Sequence, residues 1–564
     1  MSCTESADSY KSHIGMMPMS VSEIAQAVNG DVHVDASYDC NKVCAFYTCS
    51  DSRQVREGSV FVAIQGERVD GHDYVDKAAT VGASVAIVNH LVSGVSSCFP
   101  QIVVKDTVKA LGYLAKHNIE RRRESSSPFT IIGITGSVGK TTTKDMLRTL
   151  LMKMGETVAP IGSFNNEIGL PLTALRVGEN TRFLVAEMGA NHVGEITYLT
   201  NIAPPDIAIV LKVGVAHLGE FGSVERIAQA KSEIVKGLVP HGVAVLNADD
   251  SRVAAMQSLA DEDKIRWFGI KNKKSQYCII AEDVSLDSYG CASAVFKEFN
   301  ACESGVSESK TTESGVSESK SHESSQNIHL SLQGEHNIMN ALAAANVARY
   351  FGMKLKDIAE VLHNVSHISP HRMQVSTVCN NNNNNQSFTL IDDSFNANPD
   401  SMKAGIDGLC AYERCDNNSL FRIAVLGSML ELGKDEDFLH GNIGAYAVSH
   451  KINAIIAVGS KDSKDLDHLA ECIVNGALSS SKNNSLEKLD DSASKTEVFL
   501  VHDTIEADKK VWSLVAQHSR SVVLLKGSHA SGLSALAEKW DCLQSSKQQE
   551  VTCVESCSQM EVKR

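Results

Sequence analysis

Lys140 and Thr141 stand behind Gly136, Ser137, Val138 and Gly139, and this set follows the apolar, β-branched run Phe129–Ile134. A strand, a flexible loop and a helix in that order turn successive backbone N–H groups toward one point at a helix N-terminus, which holds polyphosphate. Lys140 is a point charge able to reach the β/γ-phosphates, the Thr141 hydroxyl suits Mg2+, and Thr142 adds a further N–H at the helix start. The general pattern G-x-x-x-x-G-K-[ST] asks for glycine where this chain has Ile134; the glycines here are Gly133 and Gly136. The plainer alternative is a glycine-rich strand-to-helix turn that binds nothing.

Downstream, polar residues end apolar strands at the edge where open α/β sheets bind ligands. Glu187 closes Phe183–Ala190 and stands where a second magnesium ligand or a water-orienting carboxylate belongs, or else is a solvated strand-end acid. His217 follows the strand Asp206–Val213, and Asn247, Asp249 and Asp250 follow Val243–Leu246. His336, Asn337 and Asn340 open the helix Gly334–Tyr350 and can present polar groups to a base or ribose. Lys231 lies on the amphipathic helix Glu225–Leu238, where most lysines are solvated. Further on, Asp392, Asp393, Asn396 and Asn398 end one strand, while Lys526, Gly527 and Ser528 end another. Near the N-terminus, Ser50–Arg53 and Asp70, Gly71 and His72 gather at turns, where ordinary turn chemistry explains them equally well.

Alternating strands and helices are needed to hold these groups, so the fold class is α/β in three domains. Residues 18–125 form a smaller N-terminal α/β domain, 126–365 a central P-loop domain with a mostly parallel, doubly wound sheet, and 366–541 a C-terminal Rossmann-like α/β domain. Residues 542–564 are a polar tail. A disordered insertion is expected over about 300–326, where ESGVSESKTT is followed by ESGVSESKSH. The asparagine run Asn380–Asn385 and the stretch Leu478–Lys495 are expected to be low-complexity loops.

Composition narrows the classes. A formal net charge of −15 over 564 residues argues against a nucleic-acid partner, since phosphate backbones reward a basic face. No apolar run approaches the ~20 residues needed to span a bilayer. The 15 cysteines include no C-x-x-C pair and read as reduced thiols. The N-terminus lacks a secretory pattern and is acidic for a transit peptide, so the expected location is the cytoplasm. The low-complexity insertions point to a plastid-bearing eukaryote as an alternative source, with the chloroplast stroma as the location there.

The motifs TGSVGKTTTKDML, GSFNNEIGLPLTAL, EMGANHVGEI, AKSEI, GEHNIMNALAAA, DDSFNANPDSM and KGSHASGL together resemble those of the Mur ligase family over nearly the whole chain. The resemblance is strongest to members that join D-alanyl-D-alanine to UDP-N-acetylmuramoyl-tripeptide in peptidoglycan precursor synthesis. It implies a monomeric ATP-dependent ligase working through an acyl phosphate, with those two molecules as partners and ATP and Mg2+ as cofactors. Carried over by motif, Lys140, Glu187, His217 and Lys231 would be catalytic, with Lys231 a carbamate. Thr141, Glu187 and His217 would hold metal. Nucleotide contacts would extend from the loop to Asn337, Asn340, Arg372 and Asp393. Ser52, Arg53, Asp70, His72, Asn165, Asn166 and His192 would serve the UDP-sugar substrate, and Asn398, Lys526 and Ser528 the dipeptide. Ser428 stands where aspartate is usual and His529 where arginine is usual, which puts acceptor binding in question. The alternatives are a ligase of the same fold with another acceptor and a non-catalytic structural or regulatory relative.

Overall fold

The computed structural model describes residues 15–66, 69–215, 218–272, 278–299, 323–365, 369–380, 386–413, 420–487 and 496–542. Sheets of five, nine and six strands follow one another along the chain, with a two-stranded ribbon near the start. Each large sheet is mainly parallel, and its strands read as apolar runs because helices cover both faces.

In the first sheet the order is Asp31–His33, Gln101–Val103, Ala83–Val88, Ser59–Val62 and Tyr47–Cys49, with only the first pair antiparallel. Helix Thr107–Glu124 leaves this sheet and packs on the next. Its buried Asn118 accepts from Met17 N at 2.9 Å and donates to the carbonyls of Ala174 and Val177 at 3.0 and 2.9 Å. A buried amide with its bonds satisfied specifies one docking arrangement. Apolar packing runs through the same place, joining Val60, Val85 and Leu111 to Ile131, Leu175 and Leu199.

The second sheet places Thr130–Thr135 between Phe183–Glu187 and Ile207–Val210, all parallel. Register aligns Glu187 with Ile134 and Val210 with Thr135, so three strand ends open on one edge. The helix Lys140–Leu151 buries Met146, Leu147, Leu150 and Leu151 against the alanine-rich helix His336–Tyr350, whose small side chains let the two approach closely. Beyond Ile265–Gly269 the sheet continues as Cys278–Leu286, Cys291–Phe299 and Glu323–Gln333, the last two pairings antiparallel. The insertion expected over about 300–326 is therefore shorter at its C-terminal end, because Glu323 onward pairs with Phe299 and its neighbours. The decapeptide repeats lie outside the described residues.

In the third sheet the order is Gln374–Asn380, Gln386–Asp392, Ser521–Lys526, Phe421–Leu426, Ala454–Val458 and Glu497–Val501, and only the first pair is antiparallel. Two expectations change here. Asn380 ends a strand paired to Gln386 instead of starting a loop, with 381–385 outside the described residues. The helix Lys464–Glu487 carries on through much of the serine- and asparagine-rich stretch expected as loop from Leu478. Leu426 pairs with Lys526 and Asp392 with Leu525, so this sheet too gathers its polar strand ends on one edge.

Candidate functional site

The phosphate loop owes its shape to its glycines. Gly139 has φ +82°, and a side chain there would collide with Asn340 Oδ1. The helix then starts at Lys140 with no side-chain cap, so its first N–H groups remain available to an anion. Lys140 Nζ donates to the Gly136 carbonyl at 2.8 Å, and its pKa is lowered by burial against the opposing pull of Glu187. Thr141 Oγ1 accepts from Arg372 at 3.3 Å.

Glu187 is fully buried. Its Oε1 accepts from Ser163 Oγ and Asn165 Nδ2, each at 2.8 Å, while Oε2 has no hydrogen-bond partner. An unpartnered buried carboxylate oxygen costs free energy unless something binds it, and a hard cation is the natural occupant. Thr141 Oγ1 and Glu187 Oε2 therefore fit a magnesium ion by donor type. Arg372 lies across the phosphate loop from a different unit of the chain. Its guanidinium stacks on Phe395 at 4.1 Å, its Nε lacks a partner, and burial lowers its pKa.

A cleft of about 920 Å³ collects these groups. The middle sheet contributes Ser137, Val138, Gly139, Lys140, Thr141 and Thr142, along with Asn165, Glu187, Asn337 and Asn340. The third sheet and its loops contribute Arg372, Asp393, Asn398, Lys526, Ser528 and His529. Gly136 sits just behind, as the carbonyl that holds Lys140. Lys526 is buried and pairs with Asp393 at 2.8 Å; its Nζ also donates to the Asn396 carbonyl at 2.7 Å, and burial lowers its pKa. Ser428 and Ser528 are buried with their hydroxyls 3.1 Å apart. Asn398 caps the helix Pro399–Ala411, with Ser401 completing a capping box.

The remaining candidates sit elsewhere. Lys231 is 2% exposed, its ammonium lies 5.9 Å from the Phe221 ring centre, and its pKa falls to about 7, first through burial and then through repulsion from Lys140. Asn166 accepts from Gly169 N at 2.9 Å, and His192 is exposed between Glu195 and Glu220. Arg53 is exposed and ion-paired to Asp51 at 2.7 Å, with Ser52 beside it. His72 is buried: Nδ1 meets Asp70 at 2.6 Å and Nε2 accepts from Asn89 N at 3.0 Å. The candidate metal ligand His217 lies outside the described residues. Among Asn247, Asp249 and Asp250, only Asn247 lines the cleft. Asp249 accepts from the backbone of Ile270–Asn272, and Asp250 accepts from Val213 N. Cleft residues not singled out in the sequence include Ser163, Phe395, Lys212 and Lys403. Phe395 was readable only as part of the run between Asp393 and Asn398.

Three family models cover most of the chain: "Mur ligase family, catalytic domain" at 48–118, "Mur ligase middle domain" at 134–348, and "Mur ligase, glutamate ligase domain" at 371–529. The UDP-N-acetylmuramoyl-tripeptide–D-alanyl-D-alanine ligase of Mycobacterium tuberculosis is 34% identical over 539 residues, covering 93% of this chain and 98% of its own. Its counterpart from Escherichia coli is 31% identical, covering 79% and 87%. A crystal structure of MurF from Acinetobacter baumannii matches with TM-score 0.72 at 28% identity, covering 93% of this chain and 99% of that one. A MurF ligase from Thermotoga maritima in complex with ADP matches with TM-score 0.66 at 26% identity, covering 89% and 98%.

Proposed function

The chain belongs to the Mur ligase family, and from that premise we propose that it is the ATP-dependent ligase joining D-alanyl-D-alanine to UDP-N-acetylmuramoyl-tripeptide. The observation that carries the reading is the cleft, where a phosphate loop on one sheet faces the polar strand ends of another. A phosphoryl donor and an amine acceptor need such an arrangement to meet at one carboxylate.

A carboxylate resists attack by an amine because its leaving group would be oxide. Transfer of the γ-phosphoryl group of ATP onto the terminal carboxylate of the tripeptide forms a new P–O bond as the bond to ADP breaks. The dipeptide amine then attacks the acyl carbon, phosphate leaves, and the nitrogen loses a proton. Positioning and charge neutralisation account for most of such a reaction. Lys140 turns from the Gly136 carbonyl to the transferred group, and Arg372, locked flat against Phe395, meets charge from the opposite wall. Thr141 and Glu187 are the described donors that would hold Mg2+, whose charge offsets that of the phosphate oxygens when bound.

Lys231 serves this reading as a carbamate. With a pKa near 7 much of its amine is neutral at neutral pH, and a neutral amine adds CO2, forming an N–C bond and releasing a proton. The product is an anion on the side from which Lys140 exerts its charge, which turns a repulsive pair into an attractive one. Asp393, Asn337 and Asn340 are assigned to nucleotide, and Lys526, Ser528 and Asn398 to the dipeptide. The first unit, with Ser52, Arg53, Asp70 and His72, is assigned to the UDP-sugar end, joined by Asn165, Asn166 and His192. His529 offers the acceptor carboxylate a single ring in place of a bidentate fork.

We assign the activity to a compartment that supplies both substrates, the cytoplasm or, in a plastid-bearing source, the chloroplast stroma, with the chain acting as a monomer. Among the described residues no helix is long and apolar enough to cross a membrane. The test is phosphate release from ATP, Mg2+ and UDP-N-acetylmuramoyl-tripeptide. Release should rise above the no-acceptor control on adding D-alanyl-D-alanine; no rise would sink the reading, and a larger rise with a single amino acid would move the chain to another acceptor.

A further inference from the structure

Away from the cleft, the helices Glu436–Ser449 and Lys464–Glu487 pack so closely that a side chain at Gly444 would strike the Ile473 carbonyl and one at Gly476 the Gly441 carbonyl. Their relative position is fixed by backbone contact. At one end of this contact, Asp437 from the first helix meets His468 and Cys472 from the second. The latter two are four residues apart and so share a helix face. His468 Nε2 lies 3.1 Å from Asp437 Oδ1 and 3.7 Å from Cys472 Sγ, and all three ligand atoms lie within 4.8 Å of one another.

We infer that Asp437, His468 and Cys472 form a binding site for a thiophilic divalent cation of the Zn2+ type. Tetrahedral zinc with its usual bond lengths has N···S edges of about 3.6 Å and N···O edges of about 3.3 Å. The two edges at His468 Nε2 match these without movement of either helix. One sulfur, one imidazole and one carboxylate select a borderline ion over Mg2+ or Ca2+, which take oxygen sets. Glu436 and Glu471 add negative charge beside the cluster, which favours a cation there, and water would complete the coordination. Asp437 and His468 are exposed and Cys472 is half-buried, which leaves an open path for the ion.

Protons compete for the same atoms. Thiolate and neutral imidazole are the forms that bind metal, so loading would release protons. None of the three residues lines the cleft, so the ion would clamp the helix pair on which the third sheet rests without touching the reacting groups.

The experiment is titration of the chelator-treated full chain with Co2+, then Zn2+, read by absorption. Wild type should bind Co2+ with a thiolate-to-cobalt charge-transfer band that Zn2+ abolishes and excess Mg2+ does not. Cys472→Ser should lose the band, and His468→Ala should weaken Co2+ binding roughly tenfold or more, both with unchanged phosphate release. The other cysteines are present in every variant, so a band that survives in Cys472→Ser overturns the assignment. So does the absence of any band in wild type, or displacement by Mg2+.

Discussion

The turn at Asp70–His72 and the floor of the cleft at Lys140–Glu187 are both dense in polar side chains, yet they spend them differently. At the turn, both ring nitrogens of His72 and one Asp70 oxygen have protein partners. The Asp70 carboxyl is held below its usual range by the His72 backbone N–H and then by the ring, and the other ring nitrogen is taken by Asn89. In the cleft, Glu187 Oε2 and Arg372 Nε are buried with no partner, and Lys140 holds only a carbonyl of its own loop. A satisfied cluster stabilises a fold, whereas buried unsatisfied atoms are tolerated where a ligand completes them. What separates a binding surface from a strut here is unmet bonding capacity.

The largest effect should come from Lys140→Ala. Removing a preorganised charge from a phosphoryl-transfer site costs about 10²–10³-fold in rate, so phosphate release should fall by at least that range while the melting temperature barely moves. A protein that keeps its activity would place the loop on the strut side of the comparison. Glu187→Gln comes next. The amide can still accept from Ser163 and Asn165 through its oxygen, but it offers no charge to a cation; the Mg2+ concentration for half-maximal activity should rise about 10–100-fold. An unchanged Mg2+ requirement would mean the free oxygen is not a ligand.

Lys231 tests the comparison through pH. Its folded pKa of about 7 lies below the ordinary lysine value of 10.5, so between those values the unfolded chain binds the extra proton. With CO2 excluded, so that the amine is free, stability should therefore rise with pH from about 7 toward 10.5, by up to about 1.4 kcal/mol per pH unit, and the full burial cost is felt below the folded pKa. Lys231→Met should flatten that slope in denaturant titrations across the window. Wild type should show a carbamate carbon signal in 13C-bicarbonate that the same variant lacks; the signal persisting in the variant would assign the modification elsewhere.

These contrasts were unequally legible in the sequence. The phosphate loop is local, with strand, loop and helix within one short segment, so its residues carry the whole signal. The burial of Lys231 is not local. AQAKSEI reads like any amphipathic helix, and the ring that faces the amine comes from Phe221 on a neighbouring element. Arg372 likewise acquires its rigidity from Phe395, beyond an intervening strand pair. The strands Cys291–Phe299 and Glu323–Gln333 were hidden because the buried positions of the first include the small Ala292 and Ala294 and the charged Glu298, and the second starts on Glu-Ser-Ser at a sheet edge, where weak apolar patterning suffices. The helix Lys464–Glu487 runs into poor helix formers because its earlier turns, through Ala470, Ile473 and Ala477, are already fixed by packing.

The smallest effect in this series is the one that tests the strut directly. His72→Ala removes a buried ring that links the Asp70 turn to the Asn89 backbone and stacks on His90 at 4.6 Å. Asn89 N–H and Asp70 each lose a partner, so unfolding free energy should fall by about 1–3 kcal/mol. Because the ring is only 4% exposed, its loss acts on substrate only through the shape of the turn. The KM for UDP-N-acetylmuramoyl-tripeptide should rise while the rate at saturation stays within about twofold, the pattern of an interaction shared by ground and transition states. His72→Gln, which keeps a side-chain acceptor for Asn89 N–H, should recover part of the stability. A collapse of the saturated rate without loss of stability would place His72 among the reacting groups and erase the distinction between the two clusters.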